Sequence, residues 1–154
     1  VPPEVLQRFV QRRAYIFVLE ALAQCLPLWA LAPWLREPFW AFIDNTAAEH
    51  ALAKGYSGNP SANLLVSAYW CACARLGAAP WFERVTSKAN ISDEVSRGDF
   101  TYAEKAGWRR VHFDFSDTWR LLIAAIDRED FHVGPLVESF LADFRRQRTH
   151  QGLL

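Results

Sequence analysis

The run Phe39-Trp40-Ala41-Phe42-Ile43 constrains the fold more than any other stretch, because it is apolar without interruption and then stops at Asp44-Asn45-Thr46. So short a run suits a strand buried on both faces rather than one stripe of a helix. Asp44 or Asn45 is suited to cap a following helix, predicted over Ala47 to Lys54 with Gly55 as its stop. Asn59-Pro60 reads as a second cap with proline at the first helical position. It opens a helix over Ser61 to Leu76, apolar along Leu64, Leu65, Ala68, Cys71, Ala72 and Leu76 and closed by Gly77. Pro80 to Thr86 reads as another strand. Strand, helix, helix, strand is an α/β rhythm.

Upstream, Val5 to Leu26 is predicted to be an amphipathic helix, with Ile16, Leu19, Ala23 and Leu26 facing inward and Gln11, Arg12 and Arg13 facing water. Glu20 falls on the edge of that inward stripe. Pro27 and Pro33 are expected to end or kink the helix. Beyond Arg97 the pattern loosens into Gly107, the run His112-Phe113-Asp114-Phe115, a helix over Asp117 to Asp127 and a last helix over Pro135 to Arg146. Arg145, Arg146, Arg148 and His150 make a small basic end, which a helix C-terminus favours for its own dipole.

The 154 residues fit one domain, and 51% hydrophobic content with seven Trp can fill a substantial core. Charges balance at 17 and 17, which excludes a protein that holds nucleic acid by bulk positive charge. Contact with nucleic acid would have to come from local patches or bound metal ions. Three cysteines, Cys25, Cys71 and Cys73, lack the paired spacing of a disulfide scaffold and indicate a reducing compartment, cytoplasmic or nuclear. Cys71 and Cys73 are expected to be buried thiols. No secretory leader is visible, and no apolar run reaches the roughly 18 residues of a membrane span. Ala21 to Leu35 comes closest, but Gln24, Pro27 and Pro33 interrupt it. A membrane is therefore not an expected partner.

Three acids stand out: Glu20 on a largely apolar helix, Asp44 where the first strand ends, and Asp93 soon after the second strand. Ligand sites of open α/β sheets gather outside the carboxyl ends of strands. Carboxylates brought together there suit Mg²⁺, which takes one or two of them and completes its shell with water and phosphate. Each acid also has a plainer role: Asp44 as a helix cap, Glu20 as a surface acid, Asp93 as the cap of a short helix from Glu94 to Arg97. Arg84, Lys88 and Arg97 flank the acids, with Trp81 nearby; basic side chains hold phosphates and an aromatic face supports a base. The acids and histidine of Asp127 to His132 read as a solvated loop, and His112 with Asp114 as a surface pair on a strand. His50 is a minor candidate for the Asp44 end of the sheet.

Phe42-Ile43-Asp44-Asn45-Thr46-Ala47-Ala48, Lys54-Gly55-Tyr56-Ser57, Trp81-Phe82-Glu83-Arg84-Val85 and the run Ser87 to Arg97 together resemble the ribonuclease H-like domain attached to some retrotransposon reverse transcriptases. Members show an Asp-Asn pair closing a central strand, a helix pair, a tryptophan-bearing strand and a Ser-x-x-Asn-x-x-Asp-x-x-Ser-Arg ending. The resemblance covers roughly residues 10 to 110, and the ending is its most specific piece. It implies an α/β, ribonuclease H-like mixed sheet flanked by helices. It also implies catalytic, metal-binding Glu20, Asp44 and Asp93, two Mg²⁺ (or Mn²⁺) ions, and substrate contacts by Arg84, Lys88, Arg97 and Trp81. The implied partners are an RNA–DNA hybrid or other nucleic acid and the remaining domains of a reverse transcriptase polyprotein. The family's first acid sits on an opening strand before the glutamate helix. This chain opens on that helix, at Val1 rather than Met, so a domain truncated at its N-terminus is expected, with 1–110 as partial nuclease domain and 111–154 as a helical extension. The alternative is a non-catalytic remnant serving as a binding or structural module.

Overall fold

The computed structural model describes residues 1–10, 15–31, 35, 37–110, 113–128, 132–139 and 141–142. Two asparagines start the central helices. The Asn45 side chain accepts from the Ala48 N–H at 3.0 Å to begin α3 (Thr46–Lys54), and Asn59 accepts from Ala62 at 3.1 Å to begin α4 (Pro60–Leu76). Gly55 and Gly77 end them at φ 77° and 68°, left-handed turns that glycine adopts without strain. These helices form the crossover between β1 (Pro38–Ile43) and β2 (Ala79–Arg84), which pair in parallel from Pro38↔Ala79 to Ile43↔Arg84. The expected neighbouring strands are thus present, each starting one residue earlier than its sequence-derived bound. The described residues make a mixed α/β fold, mostly helical, round a two-stranded parallel sheet.

Burial alternates along β1: Ala41 and Ile43 are buried, while Trp40 and Phe42 are 61% and 59% exposed. Trp81, opposite Trp40 in the register, is 63% exposed. The strand is therefore covered on one face, not two. Phe39, Ile43 and Phe82 reach the helical core, and no described element lies over the other face. Continuous apolar character alone could not separate these cases.

The first helical stretch comprises α1 (Pro3–Val10) and α2 (Tyr15–Leu31), with Gln11, Arg12 and Arg13 outside the described residues. Along α2 the buried stripe is Val18, Ala21, Leu22, Cys25, Leu28 and Trp29. The expected stripe is wrong: Ile16 is 57% exposed, Ala23 is exposed, and Leu19 and Leu26 are half-buried. This helix is apolar nearly all round, so several stripes compete, and contact with α4 selects one. Pro27 does not end the helix, which continues to Leu31. Proline removes the bond to the carbonyl four residues back, at Ala23. Ala23 and Pro27 lie on the exposed side, where water can satisfy that carbonyl, while Leu28, Trp29 and Ala30 bury the turn beyond. Pro33 is outside the described residues.

After β2 come a 3-10 turn (Ser87–Ala89), α5 (Ser92–Ser96), α6 (Thr101–Lys105) and α7 (Ser116–Arg128); residues 133–139 and 141–142 are also helical. Phe115, Leu122, Ile126, Leu136, Val137 and Leu141 join the same buried cluster as α2 and α4. Asp127 is not in a solvated loop. It lies in the last turn of α7 and receives a fork from Arg8, with Nη2 to Oδ2 at 3.0 Å and Nε to Oδ1 at 3.1 Å. Residues 113–115 are not a strand, and Asp114 accepts from the Ser116 N–H at 2.9 Å. His112, Arg145, Arg146, Arg148 and His150 lie outside the described residues. Cys73 is buried but Cys71 is exposed, contrary to expectation. Residues two apart on a helix point to nearly opposite sides, so only one of the pair can face the core. No described helix is long and apolar enough to cross a membrane.

Two outcomes follow from this architecture. Asn45→Ala should lower stability by about 1 kcal/mol in urea unfolding, the usual effect of losing an N-cap, whereas Asp44→Ala should leave that cap in place. The unpaired edge of β1, beside Trp40 and Phe42, should drive self-association of the isolated chain, because open edges and large apolar faces recruit partners. Sedimentation at increasing concentration should show dimers or larger species, and Phe42→Lys should diminish them. A chain that stays monomeric throughout would show that the edge is inert.

Candidate functional site

Asp44 directly follows Ile43, so the end of β1 delivers its carboxylate to the carboxyl edge of the parallel sheet. Asn45 makes the helix cap, which frees Asp44 from that plainer role. Its Oδ2 accepts instead from Asn90 Nδ2 at 3.2 Å. Asn90 in turn uses Oδ1 to accept from the Ser92 N–H at 3.1 Å and the Ser92 hydroxyl at 2.6 Å, which turns the chain into α5. Asp93 occupies the first turn of α5; that helix has no side-chain cap, so Asp93 is not one. Its Oδ2 lies 2.9 Å from Arg97 Nη2, one turn along. Glu20 comes from α2, half-buried on the side away from α4.

A cavity of about 510 Å³ joins these groups. Glu20, Asp44, Asn90, Ser92, Asp93 and Ser96 line its polar end, and Pro27, Leu31, Leu35 and Phe39 its apolar end. Phe39, Trp40, Ala41 and Phe42 all line it, although successive strand residues point to opposite faces. The cavity therefore runs along the unpaired edge of β1, with a stripe of α2 (Glu20, Ala23, Gln24, Pro27 and Leu31) as its other wall.

Burial raises the Glu20 carboxyl above the ordinary value, and the negative charges of Asp44 and Asp93 raise it further. Asp44 and Asp93 thus act on Glu20, although the three come from elements far apart in sequence. Oxygen donors of this kind are the type that hard divalent cations take. As placed, no three His, Cys, Asp or Glu side chains among the described residues converge on a single ion position.

Of the expected substrate contacts, Arg97 is held to Asp93 at the cavity's rim, while Arg84 at the end of β2 and Lys88 in the 3-10 turn are exposed. Trp81 stands on the open sheet face, its ring centroid 5.8 Å from that of Trp40 in an edge-on pair. His50 is exposed on α3 and does not line the cavity. Two contributors had no role assigned from sequence. Asn90 is visible as the Asn of the Ser87-to-Arg97 run, but its spacing does not say that it bridges Asp44 and Ser92. Tyr69, on the cavity's inner side, is buried, and burial holds its phenol neutral; in the sequence it is one more apolar position of α4.

Comparison with protein-family models, curated proteins and solved structures returned no match.

Because the folded state raises the Glu20 value, the folded protein keeps a proton there that the unfolded chain has already lost. The stability this group contributes is complete below the ordinary carboxylate value and declines as pH rises through the raised one. Glu20→Gln should therefore stabilise the metal-free protein relative to wild type at neutral pH, and the difference should shrink on acidification. Urea midpoints of both proteins across the acid range measure this; a pH-independent difference would mean that Glu20 is solvated like a surface acid.

Proposed function

We propose that this chain belongs to a ribonuclease H-like nuclease domain of a retroelement reverse transcriptase, hydrolysing the RNA strand of RNA–DNA hybrids with two divalent metal ions. One observation carries it: Glu20, Asp44 and Asp93, singled out by the resemblance, line one cavity at the carboxyl end of the parallel sheet, where burial and then the charges of Asp44 and Asp93 raise the proton affinity of Glu20. The β1–α3–α4–β2 order, with Asp44-Asn45 closing the first strand, also agrees with that family's pattern.

In this reading Glu20, Asp44 and Asp93 hold the ions. A bound pair would supply an activated water and neutralise charge on the leaving oxygen. The protein's part is to position, so the bonds from Asn90 to Asp44 and from Arg97 to Asp93 matter by fixing where each carboxylate points. Arg84, Lys88 and Arg97 would meet phosphates, and Trp81 a base or sugar. In this reading the slot along the β1 edge is where that family's opening strands would pair, and the first of them would bring a further acid to the same end.

The second reading, a remnant without catalysis, is favoured by those same two contacts. With Asp44 bonded to Asn90 and Asp93 paired to Arg97, two of the three acids are satisfied without any ion.

Metal binding separates the readings. A ligand that binds only the folded state stabilises it by mass action. Mg²⁺ or Mn²⁺ at ten times its dissociation constant should raise the melting temperature by about 3–6 °C. Asp44→Asn should lose most of that rise while keeping the Asn45 cap. Glu138→Gln, which touches only a surface ion pair with Arg75 at 2.6 Å, should retain it. Equal shifts in wild type and Asp44→Asn would remove the metal site and leave the remnant. Cleavage of a labelled hybrid, tested in parallel on the chain with the opening strands restored, should follow the same order.

A further inference from the structure

Beyond the acids, the chain makes a second, smaller concavity. Gly98 ends α5 at φ 86°, the Asp99 side chain accepts from the Thr101 N–H at 3.0 Å to start α6, and Gly107 ends α6 at φ 70°. The Trp108 N–H donates back to the Ala103 carbonyl at 2.8 Å, which folds residues 108–110 against α6. Between them lies a cleft of about 210 Å³ with Phe100 and Ala103 at its base and Glu104, Trp108, Arg109 and Arg110 round it. Arg110 places its guanidinium 4.9 Å above the Phe100 ring, and Trp108 meets Tyr102 edge-on at 5.7 Å. Tyr102 and Trp108 remain 49% and 48% exposed.

An acid and two arginines round one small cleft would ordinarily pair with each other. Here, among the described residues, Glu104, Arg109 and Arg110 form no ion pair and no side-chain hydrogen bond. They are left for a ligand, and their chemistry specifies it. Exposed aromatic faces stack with bases, whatever the sequence. Guanidinium forks grip phosphate. A carboxylate accepts from the exocyclic amine of a base such as cytosine. The volume is below the roughly 300–1,000 Å³ of pockets that enclose a whole small molecule, so it takes a ring from a longer strand. We propose that this cleft is a subsite for one unstacked, amino-bearing nucleotide of single-stranded nucleic acid, stacked at Trp108 with its phosphate on Arg109 and Arg110 and its amine on Glu104.

The subsite extends and rests on the nuclease reading, since α5 contributes to the lining of both cavities. Asp93 lines the first, and Val95, two residues on and on the opposite side of that helix, lines the second. A strand leaving the acids would be held there.

Fluorescence anisotropy with labelled oligocytidylate and oligouridylate of equal length, at low salt and without metal, tests it on the whole chain. Oligocytidylate should bind more tightly than oligouridylate. The double substitution Arg109→Ala with Arg110→Ala, at exposed positions, should weaken oligocytidylate about tenfold. Glu104→Ala, which removes the acceptor for the amine, should erase the preference. Equal binding of the two oligomers by wild type, or unchanged binding by the arginine variant, would overturn the proposal. The metal-induced melting shift is read separately: its loss with cleft binding intact defeats the nuclease reading alone, and the converse defeats the cleft alone.

Discussion

Contact between α2 and α4 is the interaction on which the rest depends. Ala21, Leu22, Cys25, Leu28 and Trp29 on one helix and Leu65, Ala68, Tyr69 and Ala72 on the other are buried in one cluster. The Cys25 thiol donates to the Leu65 carbonyl at 3.6 Å, which shows how nearly the two backbones approach. Small residues at Ala21, Cys25, Ala68 and Ala72 permit that approach, and the large ones fill the flanks. Each fully buried Leu or Trp contributes about 1.5–3 kcal/mol, far more than the helical preference of α2, which contains a proline. The same contact decides how α2 is rotated. Turning Val18, Leu22 and Trp29 inward leaves Glu20, Ala23, Pro27 and Leu31 along the cavity beside β1. Glu20 therefore points where it does because of apolar packing on the opposite side of its own helix.

The sheet imposes a second constraint. Parallel strands need a long crossover, and α3 with α4 supplies it, which places both strand ends at the same edge. That is why Asp44, leaving β1, and Asn90, shortly after β2, come within hydrogen-bonding distance although they lie 46 positions apart. Parallel sheets are ordinarily covered on both faces. Here Trp40, Phe42 and Trp81 remain open on one face, and among the described residues β1 has a partner on one side only. The exposed aromatics and the free edge describe one feature: a surface with the composition of a core.

Much of this was legible from local chemistry. The Asn45 and Asn59 caps, the Gly55 and Gly77 stops and the two strands all rest on residue types whose backbone preferences act within a turn. What failed depends on distant partners. The α2 stripe was misread because Ile16, Leu19, Ala23 and Leu26 are as apolar as the true stripe, and only α4 distinguishes them. Burial of β1 on both faces was inferred from its composition, which records what a strand tolerates rather than what lies over it. Local sequence reads Asp127 as the end of the Asp117 helix and the start of a solvated loop; the helix is present, and the carboxylate meets Arg8 from the other end of the chain, which local sequence does not reveal. The candidate acids were found through order and spacing; their shared cavity, and the bridge through Asn90, required the crossover to be formed first.

The gathering of the acids remains the feature least explained by folding alone. Glu20 sits on a helix whose other exposed positions, Ile16, Ala23 and Pro27, carry no charge, so a neutral residue there would serve the packing as well. Placing a half-buried carboxylate near two others destabilises the charged state and raises its proton affinity. Asp44 is likewise unnecessary as a cap, since Asn45 performs that function one residue later. Glu20 has no packing task of its own, while Asp44 accepts from Asn90 and Asp93 pairs with Arg97, so it is Glu20 whose charged form the neighbouring acids disfavour. A carboxylate perturbed in a cleft is characteristic of functional sites, and the strand-edge cavity is lined by Glu20 itself.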